Sequence, residues 1–265
     1  MRLSLPASFG NGLHRLRLAD GRAAIAKIRR AAPTGFFAAE ARGLEALRDT
    51  RTLRVPQVFD VGAEAIVLED LGAGHATAAH WQRAGTQLAQ MHRPTGAAFG
   101  FDTDGWCGDN PQGNPRDLDG QAFFAQHRLL AQAVRAHSNG LLGIADLRRV
   151  EHIAARLSDW LPPMPAVLVH GDLWLGNLHA CGGGELALID GGAVHHGWAE
   201  TDLSMLILFG EPPHDFFDAY EWQAGITRDW RERAPLYNLY HWLNHLNLFG
   251  AGYRSAVLAV MGRFG

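Results

Sequence analysis

Val167-Leu168-Val169-His170-Gly171-Asp172-Leu173-Trp174-Leu175-Gly176-Asn177 is the stretch around which the rest of this 265-residue chain organises. Its β-branched and apolar start reads as a buried strand. His170-Gly171 opens that strand into a loop carrying an Asp and, five residues later, an Asn. A second apolar run, Leu186 to Ile189, delivers Asp190 into Gly191-Gly192. Taken singly, each polar residue reads as a turn or an Asx-turn. Mounted together at strand ends, Asp172, Asn177 and Asp190 are expected to share one cleft.

That set has a chemical logic. Phosphoryl transfer needs little covalent help, so catalysis rests on positioning and on neutralising phosphate charge. Asp172 is the candidate to accept a hydroxyl proton. Asn177 offers a neutral oxygen and Asp190 a charged one to Mg²⁺, which takes few protein ligands beside phosphates and water. The order strand, His-Gly-Asp-x-x-x-x-Asn, strand, Asp is that of the catalytic and metal loops of the kinase superfamily.

Upstream, Leu13–Leu18 and Arg22–Ile28 read as two strands joined by Ala19-Asp20-Gly21. The 24 basic residues include a single Lys, Lys27, near the end of the second strand. A lone ammonium among guanidiniums marks a place where a compact point charge is wanted. In the kinase layout such a Lys holds the α- and β-phosphates of ATP and pairs with a Glu on the next helix. Phe36–Arg48 is the predicted helix, with Glu40 the candidate partner and Glu45 the fallback. Gly10 and Gly12 lie in a small loop able to bring backbone N–H groups near phosphate oxygens. Val58–Val61 and Ala65–Leu68 read as short strands. Glu69, Asp70 and Leu71 then form the expected hinge, where the Glu69 carbonyl and Leu71 amide would meet adenine.

The fold expected is α+β and two-lobed: an N-terminal antiparallel-sheet lobe over 1–70 and a larger, mainly helical lobe over 71–265. Helices are expected at 77–92, 118–137, 144–161, 199–208 and 215–222, with one or two more over 230–261. Strands are expected at 166–169 and 186–189, and 93–116 reads as an irregular loop. A net charge of -3 gives no reason to expect nucleic acid or a membrane surface as partner. The longest strongly apolar run, Leu203–Phe209, is too short to span a bilayer, and no signal-peptide core can be drawn. Cys107 and Cys181 sit in no metal-like spacing and read as reduced thiols of a cytoplasmic protein. Oligomeric state is not fixed by sequence, with a monomer favoured.

The chain also closely resembles the fructosamine kinase (ketosamine kinase) family, relatives of aminoglycoside and choline kinases. The resemblance runs almost end to end. It rests on Phe37-Ala38-Ala39-Glu40-Ala41-Arg42-Gly43-Leu44-Glu45; on Phe99-Gly100-Phe101 with Cys107-Gly108-Asp109-Asn110-Pro111-Gln112-Gly113-Asn114; and on Phe123 to Leu129. It rests further on His170 to Asn177, on Gly197 to Gly210, and on Tyr240 to Gly250. Trp174 separates this family from most small-molecule kinases. The resemblance implies ATP- and Mg²⁺-dependent phosphorylation of a sugar hydroxyl in ketoamines, free or protein-bound, which labilises the adduct and reverses glycation. It makes Trp174 a platform for the sugar, with core packing the alternative, and Asp202 a brace for the catalytic loop. His195, His196 and His241 are within reach of the pocket in this reading, none singled out. Two departures stand out: Gly191-Gly192 follow the metal Asp where the family commonly has Pro, which is expected to loosen that loop, and residues 8–12 contain no Cys. A kinase for another hydroxylated amine and a nucleotide-binding pseudokinase remain as alternatives.

Overall fold

Alternation of buried and exposed side chains in Ala23–Ile28 sets the first sheet. The computed structural model describes residues 12–265; Gly10 lies outside them. Strand β1 (Gly12–Arg17) pairs antiparallel with β2 (Ala23–Ile28). After helix α1 (Phe36–Asp49) come β3 (Val58–Val61) and β4 (Ala65–Glu69). The four strands form one antiparallel sheet in the order β1-β2-β4-β3. One stripe of α1 buries Phe37, Glu40, Ala41, Leu44 and Leu47. Three- and four-residue spacing therefore carries a carboxylate into an otherwise apolar face. Leu44 and Leu47 are completely buried, each worth about 1.5–3 kcal/mol by removal from water.

The remainder is mainly helical. Helix α2 (Ala78–Met91) packs against α7 (His214–Ala224), and α6 (Ala199–Leu206) against α8 (Trp230–Phe249). Helix α3 (Gly120–Phe124) runs through a π-helical turn (Ala125–Leu130) into α4 (Ala131–Ser138), beside α5 (Ile144–Ala155) and α9 (Arg254–Phe264). Within the segment read as irregular, a two-stranded ribbon forms from β5 (Gly105–Cys107) and β6 (Asn110–Gln112). The helix expected over 144–161 ends at Ala155 and gives way to a short 3₁₀ turn. Among the described residues, no helix is long and apolar enough to cross a membrane.

Two small ribbons position the loops of interest. Strand β7 (Val167–Val169) pairs with β10 (His195–Gly197), and β8 (Leu178–Ala180) with β9 (Leu186–Leu188). The chain order nests one ribbon inside the other, so the 170–177 and 189–194 loops leave from adjoining strand ends. Gly191 does not loosen its loop. A Cβ at Gly43 would lie 1.9 Å from the Gly191 carbonyl oxygen, and one at Gly191 would lie 2.6 Å from the Leu44 nitrogen. Backbone meets backbone between α1 and this loop, a contact open only to glycine.

Candidate active site

Lys27, Glu40, Asp172 and Asp190 meet in a cleft of about 680 Å³, with Gly12 and the Arg29–Asp109 ion pair also on its walls. Lys27 Nζ sits 2.6 Å from Glu40 Oε1 and 3.3 Å from Asp190 Oδ1. Glu45 is exposed and takes no part. Burial works against the Lys27 charge, but Glu40 and Asp190 outweigh it and hold its pKa above the usual value. Burial pushes Glu40 up to about 6 against the pull of Lys27 at 2.6 Å.

Asp172 leaves the end of β7 in a tightly held backbone. Asp202, fully buried, accepts the His170 N–H at 2.7 Å and the Gly171 N–H at 2.9 Å. Behind it, His92 Nε2 stands 3.3 Å from Asp202, and His92 Nδ1 is 2.8 Å from the Tyr220 hydroxyl. Burial raises Tyr220 far above its ordinary value, so the hydroxyl keeps its proton and donates to Nδ1. Burial favours protonation of Asp202, but the hydrogen bonds it accepts from His92 and from the His170 backbone keep the carboxyl below its ordinary value. His170 Nε2–H donates to the Ile189 carbonyl at 2.8 Å, which leaves Nδ1 to accept the Asp172 N–H at 3.3 Å. One imidazole thereby ties the Asp172 loop to the strand that presents Asp190.

Burial, then the charges of Asp190 and Asp202, push Asp172 up to about 7. Asn177 donates to the Asp172 carbonyl at 2.7 Å, closing the loop on itself. Asp190 adopts φ 67° and ψ 69°, a left-handed conformation that Asp tolerates better than most residues. Its side chain is half exposed into the cleft, so its oxygens are open to a cation. A neutral amide oxygen and an open carboxylate are the donor chemistry that Mg²⁺ takes, so these residues fit that ion.

Toward the sheet lobe the cleft continues into a cavity of about 450 Å³, with Leu13, Ile25, Leu68 and Ile189 among its apolar walls and Glu69, Asp70 and Leu71 along one edge. The Glu69 side chain turns away to Arg54 and the Gln57 N–H. Asp70 closes the hinge turn by accepting the Gly72 N–H at 2.9 Å, and the Leu71 carbonyl accepts from Gly182. Trp174 is not a core residue: it is 42% exposed, and its ring lies over Gly176, where an added Cβ would meet it at 2.3 Å. His195 is buried with Nδ1 donating to the Ala193 carbonyl. His241 is buried with Nδ1 4.0 Å from Asp172 Oδ1, a neighbour that sequence reasoning does not single out.

This is the architecture of the protein-kinase-like phosphotransferases, an antiparallel-sheet lobe above a helical one. The chain belongs to the fructosamine kinase family, whose model matches residues 12–264. A Synechocystis relative bearing a ketoamine kinase name is 40% identical over 86% of this chain and 78% of its own length. The chloroplastic protein-ribulosamine 3-kinase of Arabidopsis thaliana is 31% identical over 91% of this chain and 76% of its own. A crystal structure from Thermobifida fusca, designated a fructosamine-3-kinase, superposes with a TM-score of 0.87 at 36% identity, covering 94% of this chain and 88% of that one.

Proposed function

We propose that this protein transfers the γ-phosphoryl group of ATP to a sugar hydroxyl of a ketosamine. The observation that carries the reading is the convergence of Lys27, Glu40, Asp172 and Asp190 on one cleft in a chain of this family. Adenine lies in the apolar cavity against residues 69–71, at the seam between an N-lobe ending at Asp70 and a C-lobe beginning at Leu71. Lys27, held by Glu40, contacts the phosphates, with Gly12 beside them. Asn177 and Asp190 hold Mg²⁺, which supplies charge neutralisation on the phosphate oxygens when bound.

Asp172 does the proton chemistry. A carboxyl raised to about 7 is matched to accepting a hydroxyl proton near neutral pH, when bond formation to phosphorus makes that proton acidic. Asp202 and His170 do not touch the reacting atoms; they fix where the Asp172 carboxylate points. Trp174, exposed at the mouth, offers an apolar face to the sugar ring. Every group needed comes from one chain, so a monomer suffices. The two free thiols are compatible with action in the cytoplasm.

The test is phosphate transfer from labelled ATP to fructosyl-lysine, ribulosyl-lysine and an aminoglycoside panel. The reading requires transfer to one or both glycated amines. Transfer confined to aminoglycosides, or ATP binding without transfer to any acceptor, would overturn it.

A further inference from the structure

We propose that Cys107, Asp172 and His241 form an inhibitory site for a soft divalent cation of the zinc class. Three elements meet there: the β5–β6 ribbon supplies the thiol, the loop after β7 the carboxylate, and α8 the imidazole. One ligand atom from each lies within 4.8 Å of the other two. A tetrahedral zinc site has ligand–ligand edges of about 3.3–3.6 Å, so small side-chain rotations close the set. The imidazole is ready for such a role. His241 Nδ1 is buried, has no hydrogen-bond partner, and stands 4.0 Å from Asp172 Oδ1.

The thiol is oriented as well. Asn244 Nδ2 lies 3.2 Å from Cys107 Sγ, and its own Oδ1 is fixed by Asn110 and Gln132. Such an amide donor steadies a metal-bound thiolate by hydrogen bonding to the sulfur. Sulfur, nitrogen and one carboxylate oxygen select zinc or cadmium over magnesium. The oxygen pair of Asn177 and Asp190 has the opposite preference. On binding, the Cys107 thiol releases its proton to solvent, and Asp172 lends its lone pairs to the cation. The cleft thereby loses its proton acceptor, which is why the site inhibits. This consequence rests on the functional reading above; the binding itself does not.

Cadmium is the probe. Cd²⁺ added to the full chain should give ultraviolet thiolate-to-metal absorption at one equivalent. C181S should keep it, C107S should lose it, and H241Q should weaken binding by about tenfold or more. Zn²⁺ should inhibit phosphate transfer competitively with the sugar acceptor, whereas C107S should turn over without that inhibition. No thiolate band in the wild type, or a band that survives C107S, overturns the site. Equal zinc inhibition of C107S, or activation by zinc, overturns the inhibitory role. The cadmium measurement needs no turnover, so inactivity toward glycated amines would defeat the functional reading and leave the site standing.

Discussion

Asp202→Asn tests the brace beneath the reactive loop. The carboxylate accepts two backbone N–H groups and faces His92 Nε2, all without access to water. An amide of the same shape keeps one oxygen and turns its NH₂ toward a former donor, leaving at least one buried N–H unsatisfied. Such an orphan costs about 1–3 kcal/mol, and each hydrogen bond to a charged acceptor adds about 1.5–3 kcal/mol. The sum, discounted for relaxation of the loop, is about 3–5 kcal/mol, within the range for breaking a buried charged network. For a chain of this size that lowers Tm by roughly 6–20 °C. Urea unfolding followed by circular dichroism gives the stability, and initial rates below the transition give kcat. We expect kcat to fall more than KM for ATP changes, because the loss is in aiming Asp172 and not in holding phosphate. An Asp202→Asn variant with an unchanged midpoint and full kcat would refute the reasoning.

Asp172→Asn should abolish transfer and leave Mg·ATP binding nearly intact by calorimetry; turnover near the wild-type rate would sink the proposed base. Burial and like charges raise the folded Asp172 pKa from 3.8 to about 7, so the unfolded chain releases that proton first as pH rises. Stability from this group is therefore present below about pH 4 and lost between there and 7. Asp172→Asn should be more stable than the wild type at pH 8, and equal midpoints there would contradict the raised pKa. The same sign makes kcat/KM fall as pH drops through the Asp172 pKa; bound Mg²⁺ draws the limb downward, so an acid limb well above 7 would contradict the assignment. Lys27→Arg should fail despite its charge, because a forked guanidinium does not replace a point charge within 2.6 Å of Glu40; normal turnover would show otherwise. Gly176→Ala should displace the Trp174 ring and raise KM for the sugar acceptor more than for ATP, with unchanged KM values ruling out the platform.

Much of the cleft is readable in the chain because its chemistry is local. Asp172 and Asn177 lie on one short loop and Asp190 follows one short strand, so sequence spacing nearly fixes their separation. Lys27 is legible as the single lysine of the chain, near a strand end, and Glu40 as a carboxylate inside the helix that follows; that Glu40 falls in the buried stripe of α1 emerges only in the fold. The β5–β6 ribbon is hidden because its strands have three residues each and Gly108, Asp109, Asn110 and Pro111 read as loop formers. The end of α5 is hidden because no Gly or Pro breaks the pattern before Pro162. Cys107 and His241 cannot be paired from sequence: over 130 residues separate them, and only the packing of α8 against the ribbon brings them together. Gly191 misleads for a related reason. A glycine that allows close approach looks, in sequence, like one that grants slack.

The glycine-to-glycine seam between α1 and the Asp190 loop also limits how this enzyme can be switched. With no side chains to act as a cushion, a tilt of α1 drives its backbone into Gly191 or opens a void along Leu44. The seam therefore sets how closely α1, and Glu40 with it, stands to the loop that carries Asp190. Swinging this helix outward would open that seam and part Glu40 from Lys27 in the same movement.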